Sequence, residues 1–173
     1  MTTAGDRPEN GSLRRAARGE RLSGFIYGTI VVLAVLVAGA RAYPDDAARI
    51  VALVVVTSLV FWLAHVYSHG LGHSVAHDEH LSLAELRHIA RREAALLEAA
   101  ALPVAALLLG AFGVVSTGTA VWTAFLLGLL VLAVQGLVFA RVERLGPLAT
   151  VAVVAANVGL GITLVALKLV VSH

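Results

Sequence analysis

Between Glu98 and Arg141 the chain carries no charged side chain. A helix that crosses a bilayer takes about 20 apolar residues, so this stretch is too long for one crossing and long enough for two. Further apolar runs begin near Leu22, Ile50 and Thr150. A soluble chain of this size would interrupt such runs every few residues to make amphipathic helices. With 59% hydrophobic and 14% charged residues, the natural solvent of this chain is lipid. The fold class that follows is all-α: a polytopic membrane bundle of about five transmembrane helices, because helices satisfy their own backbone groups in hydrocarbon.

Residues 1–20 mix Gly, Ser, Arg and acidic side chains without an apolar period, and read as a disordered cytoplasmic tail ahead of a transmembrane domain over 21–173. The first span is expected at about 22–40, longer than the apolar core of a signal peptide. Tyr43-Pro44-Asp45-Asp46 stops that helix and caps the next, at about 50–69. Ser82 and Glu85 have the spacing of a capping box, so a helix starts at Leu83 and runs into a third span at about 93–115. Pro103 within it deprives the carbonyl of Ala99 of its partner and predicts a kink. Ser116-Thr117-Gly118-Thr119 separates the third span from a fourth at about 120–140, and Gly146-Pro147 precedes a fifth at about 150–171. Two small-xxx-small pairs, Gly24 with Gly28 and Ala155 with Gly159, offer places for helices to approach.

Five crossings place Arg7, Arg14, Arg15, Arg18 and Arg21, then Arg87, Arg91 and Arg92, then Arg141 and Arg144 on one side. Only Arg41 and Arg49 fall on the other, with Lys168 near the far end of the last span. Positive loops stay in the cytoplasm, so the expected location is the cell membrane, of the inner-membrane type, with the N-terminus inside and the C-terminus outside. The net charge is only +2, and the arginines sit at the ends of apolar runs, where topology and anionic lipid account for them. The expected partners are the lipid bilayer and further copies of the chain, not nucleic acid.

The sharpest chemical feature is a ladder: His65, His69, His73 and His77 recur every fourth residue, with His80 close behind. On one continuous helix they form a stripe. Cysteine is absent, so a metal would be held by His, Asp or Glu, and i, i+4 imidazoles with Glu98 are a candidate set for Zn or Fe. Imidazole also titrates near neutral pH, so the same stripe can relay protons. The plainer reading is an interfacial helix end whose ladder is broken at Gly70 and Gly72. His65 differs from the rest in lying inside the apolar run. Counting about 1.5 Å per residue from each inferred inner end, Tyr27, His65, Glu98 and Gln135 fall at one depth and Asn157 somewhat deeper, one from each span. This polar layer is either an ion pathway or a packing network. Glu98 within it must be protonated, paired with His65 or His69, or bound to a cation.

Arg21-Leu22-Ser23-Gly24-Phe25-Ile26-Tyr27-Gly28 resembles the R-x-x-x-F-S-D-G opening of a bacterial and lysosomal potassium-channel family, and Phe61-Trp62-Leu63-Ala64-His65 resembles the F-W-x-x-H stretch of its second helix. The family's Ser-Asp pair is Ile26-Tyr27 here, and its repeat has six helices. Over its whole length the chain looks more like uncharacterised bacterial membrane proteins related to those channels. The resemblance implies an oligomer whose first helix lines a central pore, with Ile26, Ile30 and Leu33 as an apolar constriction.

Three functions follow as expectations: ion or proton conduction through the polar layer, a His-ligated metal-dependent membrane enzyme or metal carrier, and a non-catalytic membrane scaffold or subunit. Membrane hydroxylases use several separated histidine clusters and this chain has one. No nucleotide loop, nucleophile elbow or H-E-x-x-H is present, and the chain is read as more transporter than enzyme.

Overall fold

The computed structural model describes residues 8–77 and 82–171, with side chains described from Gly19 onward except those of 73, 75–77, 165 and 167–171. All regular structure among them is helical: α1 (Pro8–Ala42), α2 (Ala47–His77), α3 (Leu83–Arg92), α4 (Ala95–Glu98), α5 (Ala101–Ala111), α6 (Thr117–Val142) and α7 (Pro147–Val171). Four segments are long and apolar enough to cross a bilayer by themselves: Gly19–Ala42, Ala47–Gly72, Thr117–Val142 and Pro147–Leu164. A bent pair, Leu83–Glu98 followed by Ala101–Ala111 at 53°, brings the count to five if it is one span and leaves it at four if it is a re-entrant loop.

Helix α1 starts at Pro8, so the expectation of an unstructured tail over 1–20 is corrected from that residue on; residues 1–7 lie outside the described part. The physical reason is local. Pro is favoured at the first helical position, and the Leu, Arg, Ala and Glu that follow are strong helix formers. The α1–α2 turn forms as read: Asp46 Oδ1 accepts from Arg49 N at 3.0 Å, and its carbonyl from Ile50 N. Helix α2 does not stop at Gly70 or Gly72 but runs through both to His77.

The third crossing is broken rather than kinked. The capping box is present, with Ser82 Oγ accepting from Glu85 N at 3.2 Å and Glu85 Oε2 accepting from Ser82 N at 2.8 Å. The chain then interrupts its helix at Glu93–Ala94 and again at Ala99–Ala100. The second break is the work of Pro103, which lacks an N–H for Ala99 and whose ring crowds that carbonyl. The helix therefore restarts just upstream, with Pro103 in the first turn of α5, where a missing N–H costs nothing. At its other end α5 stops at Ala111, short of the expected Val115. Gly113, at φ 73°, adopts the left-handed conformation of a Schellman cap, with Gly113 N bonded to Gly110 O and Val114 N to Leu109 O.

Helix α6 ends in the same motif, with Leu145 N on Ala140 O and Arg144 N on Arg141 O, but the left-handed residue is Arg144, at φ 53°. A side chain there costs about 1–2 kcal/mol. Arg144→Gly is expected to raise stability by about 1 kcal/mol, read as a higher melting temperature in detergent.

Helix α1 is the centre of the bundle, packed against α2, α4, α6 and α7. Leu33 and Leu36 on α1, Ile50 and Val54 on α2, Leu107 on α5, and Phe125 and Leu132 on α6 are fully buried in one core. Leu33 thus faces the protein interior, wedged against the positions of Gly128 and Gly161, and does not line a pore in this arrangement. Gly28 does bring α1 close to α4, since a Cβ there would lie 3.0 Å from Leu96 Cα. The pair on α7 behaves otherwise. Ala155 is exposed and nothing lies within 4 Å of a Cβ at Gly159, while the α6–α7 contact is made at Gly136, against Val154 and Asn157.

Candidate functional site

Three helices converge at the arginine-rich end. From α1 come Glu20 and, two turns deeper, Tyr27; from α2 come His65 and His69; from the end of α3 come Arg92 and Glu93. The α2–α3 hairpin brings the last two into place, held by Trp62 Nε1 donating to Ala90 O at 3.0 Å. There His69 meets Glu93.

The centre is that meeting. His69 Nδ1 lies 3.3 Å from Glu93 Oε1, and the Glu93 side chain is only 11% exposed. His69 Nδ1 also lies 3.1 Å from His65 O, and His65 Nδ1 lies 3.0 Å from Phe61 O. A carbonyl oxygen only accepts, so in each ring Nδ1 carries the hydrogen and Nε2 is the position free to take or give a proton. The rings follow one another: Tyr27 to His65 at 5.5 Å between centroids, His65 to His69 at 6.3 Å. Arg92 closes the other side, with Nη1 3.3 Å from Glu20 Oε2 and Nε 3.8 Å from Glu93 Oε1. These groups line a chamber of about 490 Å³.

The polar layer read from the sequence divides. Tyr27 and His65 stand together. Glu98 is not beside either histidine: Arg21 Nη2 donates to both of its carboxylate oxygens at 2.9 Å, and its side chain is 46% exposed. Gln135 is buried on the opposite side of α1, and Asn157 turns toward α6, with Nδ2 3.5 Å from Leu132 O. Such a division follows from α1 being central, because residues at one depth on surrounding helices are separated by the helix between them.

Of the proposed metal set only His65, His69 and Glu98 have described side chains, and Glu98 is bound to Arg21 rather than set beside either ring. Among the described residues no three His, Asp or Glu side chains converge as a cation site. Glu98 is held by Arg21 and Glu93 by His69 and Arg92, while the side chains of His73 and His77, and all of His80, lie outside the described residues. The chain matches no family model, no curated protein and no solved structure. What the site does must therefore be argued from its own chemistry.

Glu93, Glu20, Arg92 and Arg21 were not singled out from the sequence. Glu93 had no readable signal, since its contact with His69 depends on how α2 and α3 are rotated against each other. The ion pair between Arg21 and Glu98 had none, since it joins helices far apart in the chain.

Proposed function

We propose that the protein is a multi-pass component of the cell membrane, arginine-rich end inside, that moves protons, or an ion coupled to them, by way of the Tyr27–His65–His69–Glu93 chamber. The observation that carries this reading is the imidazole of His69 against a nearly buried carboxylate, with a second imidazole next in line toward the membrane interior. Imidazole exchanges protons near neutral pH; the backbone carbonyl of His65 holds the His69 ring in one orientation, and the Glu93 carboxylate 3.3 Å away is the counter-charge for its protonated form. Beyond Tyr27 the bundle is closed by packed apolar side chains: Thr29 Oγ1 is satisfied by Phe25 O, and Val32, Leu33 and Phe125 are fully buried. A proton taken up in the chamber therefore does not cross on a standing water file, and movement of the chain is part of the cycle. The two breaks around α4 are the natural joints, and Glu93 and Glu98 sit on them. The ladder of His65 and His69 supplies the acceptors, and an oligomer is not required for this step.

The test is flux. Protein in liposomes loaded with a pH-sensitive dye, under an imposed potassium diffusion potential, is expected to acidify or alkalinise the lumen faster than empty vesicles, and His69→Ala is expected to slow it. Vesicles with and without protein that behave alike for both H+ and K+ would remove the proposal.

A further inference from the structure

Adjoining the histidine chamber along α1, where the two share Gly19, Ser23 and Tyr27, a groove of about 1130 Å³ opens between α1, α5 and α6. Its walls are apolar, with Phe25 and Ile30 on one side and Leu130, Val134 and Val138 on the other. Its mouth carries Arg21, Glu98, Glu143 and Arg144. Gln135 also lines it, only 7% exposed, and neither Oε1 nor Nε2 has a hydrogen-bond partner. A primary amide left unpaired among apolar side chains is costly, and nothing in the packing of α6 calls for one there. The arrangement asks for an occupant that is apolar along most of its length and presents a polar group at the level of Gln135.

Depth identifies that level. Helix α6 has 26 residues, about 39 Å at the usual helical rise, close to the full bilayer including its headgroup layers. From Val142 back to Gln135 is about 10 Å, a few ångströms inside the hydrocarbon and below the ester carbonyls of a glycerolipid, which a lipid seated in the groove with its headgroup at the mouth brings down toward the amide. The mouth selects further. Arg21 and Glu98 neutralise one another, and Glu143 and Arg144 have no ion pair among the described residues, so the four groups sum to no net charge. A headgroup of single charge would meet its like as well as its opposite, whereas one phosphate and one ammonium are matched together. The volume exceeds the roughly 300–1,000 Å³ of drug-sized sites and suits two acyl chains better than one.

We propose that this groove holds one zwitterionic diacyl glycerophospholipid of the surrounding bilayer, its phosphate on Arg144, its ammonium on Glu143, and an ester carbonyl accepting from Gln135 Nε2. The lipid contacts named here include neither His69 nor Glu93, although Tyr27 lines both cavities. A residue with a side chain at the left-handed end of α6, where glycine is the ordinary choice, fits a need for the guanidinium at the mouth.

The experiment is native mass spectrometry of the full chain, purified in detergent and exposed to an equimolar mixture of phosphatidylethanolamine, phosphatidylglycerol and oleic acid. One phosphatidylethanolamine is expected to stay bound. Gln135→Leu is expected to lower its retention about tenfold, the worth of one well-made buried hydrogen bond to a polar group, while the lipid-free protein melts no lower than wild type. Glu143→Gln is expected to shift retention toward phosphatidylglycerol. Preferential retention of oleic acid or of phosphatidylglycerol by the wild type would overturn the proposal, as would equal retention by wild type and Gln135→Leu, or a lipid-free dimer in which a second copy fills the groove.

Discussion

Replacing Glu93 with Gln is expected to lower protein-dependent proton flux by about tenfold or more, because it removes the nearly buried carboxylate 3.3 Å from His69 Nδ1 that is the counter-charge of a protonated ring. Replacing Glu98 with Gln is expected to leave flux within about twofold, since its partner Arg21 is an exposed surface ion pair and such pairs contribute little. The contrast is the point. Both residues are glutamates at the breaks of the same bent crossing, and depth alone favours Glu98 as the partner of the histidines. The distances favour Glu93. An independent readout is available in the ring resonances of labelled histidines in nanodiscs: Glu93→Gln is expected to move those of His69, and Glu98→Gln to leave them in place. If Glu98→Gln abolished flux while Glu93→Gln spared it, the chamber would be wrong and the proton path would have to be sought along Arg21 and the groove beside it.

The second large effect is on stability. A Cβ on Gly110 would lie 2.6 Å from Ala120 Cβ and 3.2 Å from Ala47 Cβ, and neither alanine has a flexible end to swing aside. Gly110→Val must therefore push α5 away from both α6 and α2, where Leu107 and Phe125 complete the core. We expect a loss of about 3 kcal/mol, at the upper end for overpacked cores, seen as a lower melting temperature or as loss of the monodisperse peak in detergent. Gly28→Val should follow it, since its nearest neighbour is the backbone of Leu96. Gly72→Ala supplies the opposite sign. Nothing lies within 4 Å of a Cβ at that position, so the only term is helix propensity, which favours Ala by about 1 kcal/mol. Three glycines of one bundle are thus expected to respond in two directions, and equal responses would mean that the α5–α6 crossing is not as close as described.

Much of the architecture was legible because membrane solvent simplifies the problem. Hydrocarbon forbids unpaired backbone groups, so long apolar runs became helices; Tyr43–Asp46 became a turn, while Ser116 became the N-cap of α6 and Pro147 the first residue of α7. Local capping chemistry was equally readable: Ser82 and Glu85 meet as their spacing requires, and that depends on four consecutive residues alone. Where a local rule competes with another, the sequence was less decisive. The first turn after Pro8 is helical despite its polarity, and the run from Leu83 breaks twice where Pro103 predicted one kink.

The sequence by itself determined the solvent, the crossings, the arginine-rich end and the presence of a histidine stripe on α2, because each of these follows from composition or from contacts within a few residues. Only the tertiary structure decided which side chains meet. Residues at equal depth on different helices look equivalent along the chain, but α1 runs through the middle of the bundle and sends them to different sides: His65 and His69 to a chamber with Glu93, Gln135 to an apolar groove, Asn157 to the α6–α7 contact, and Glu98 to Arg21. The rotation of each helix about its axis fixes those partnerships. It is set by where glycines allow close approach and where Leu33 and Phe125 must be buried, long-range packing terms that no spacing in the chain encodes.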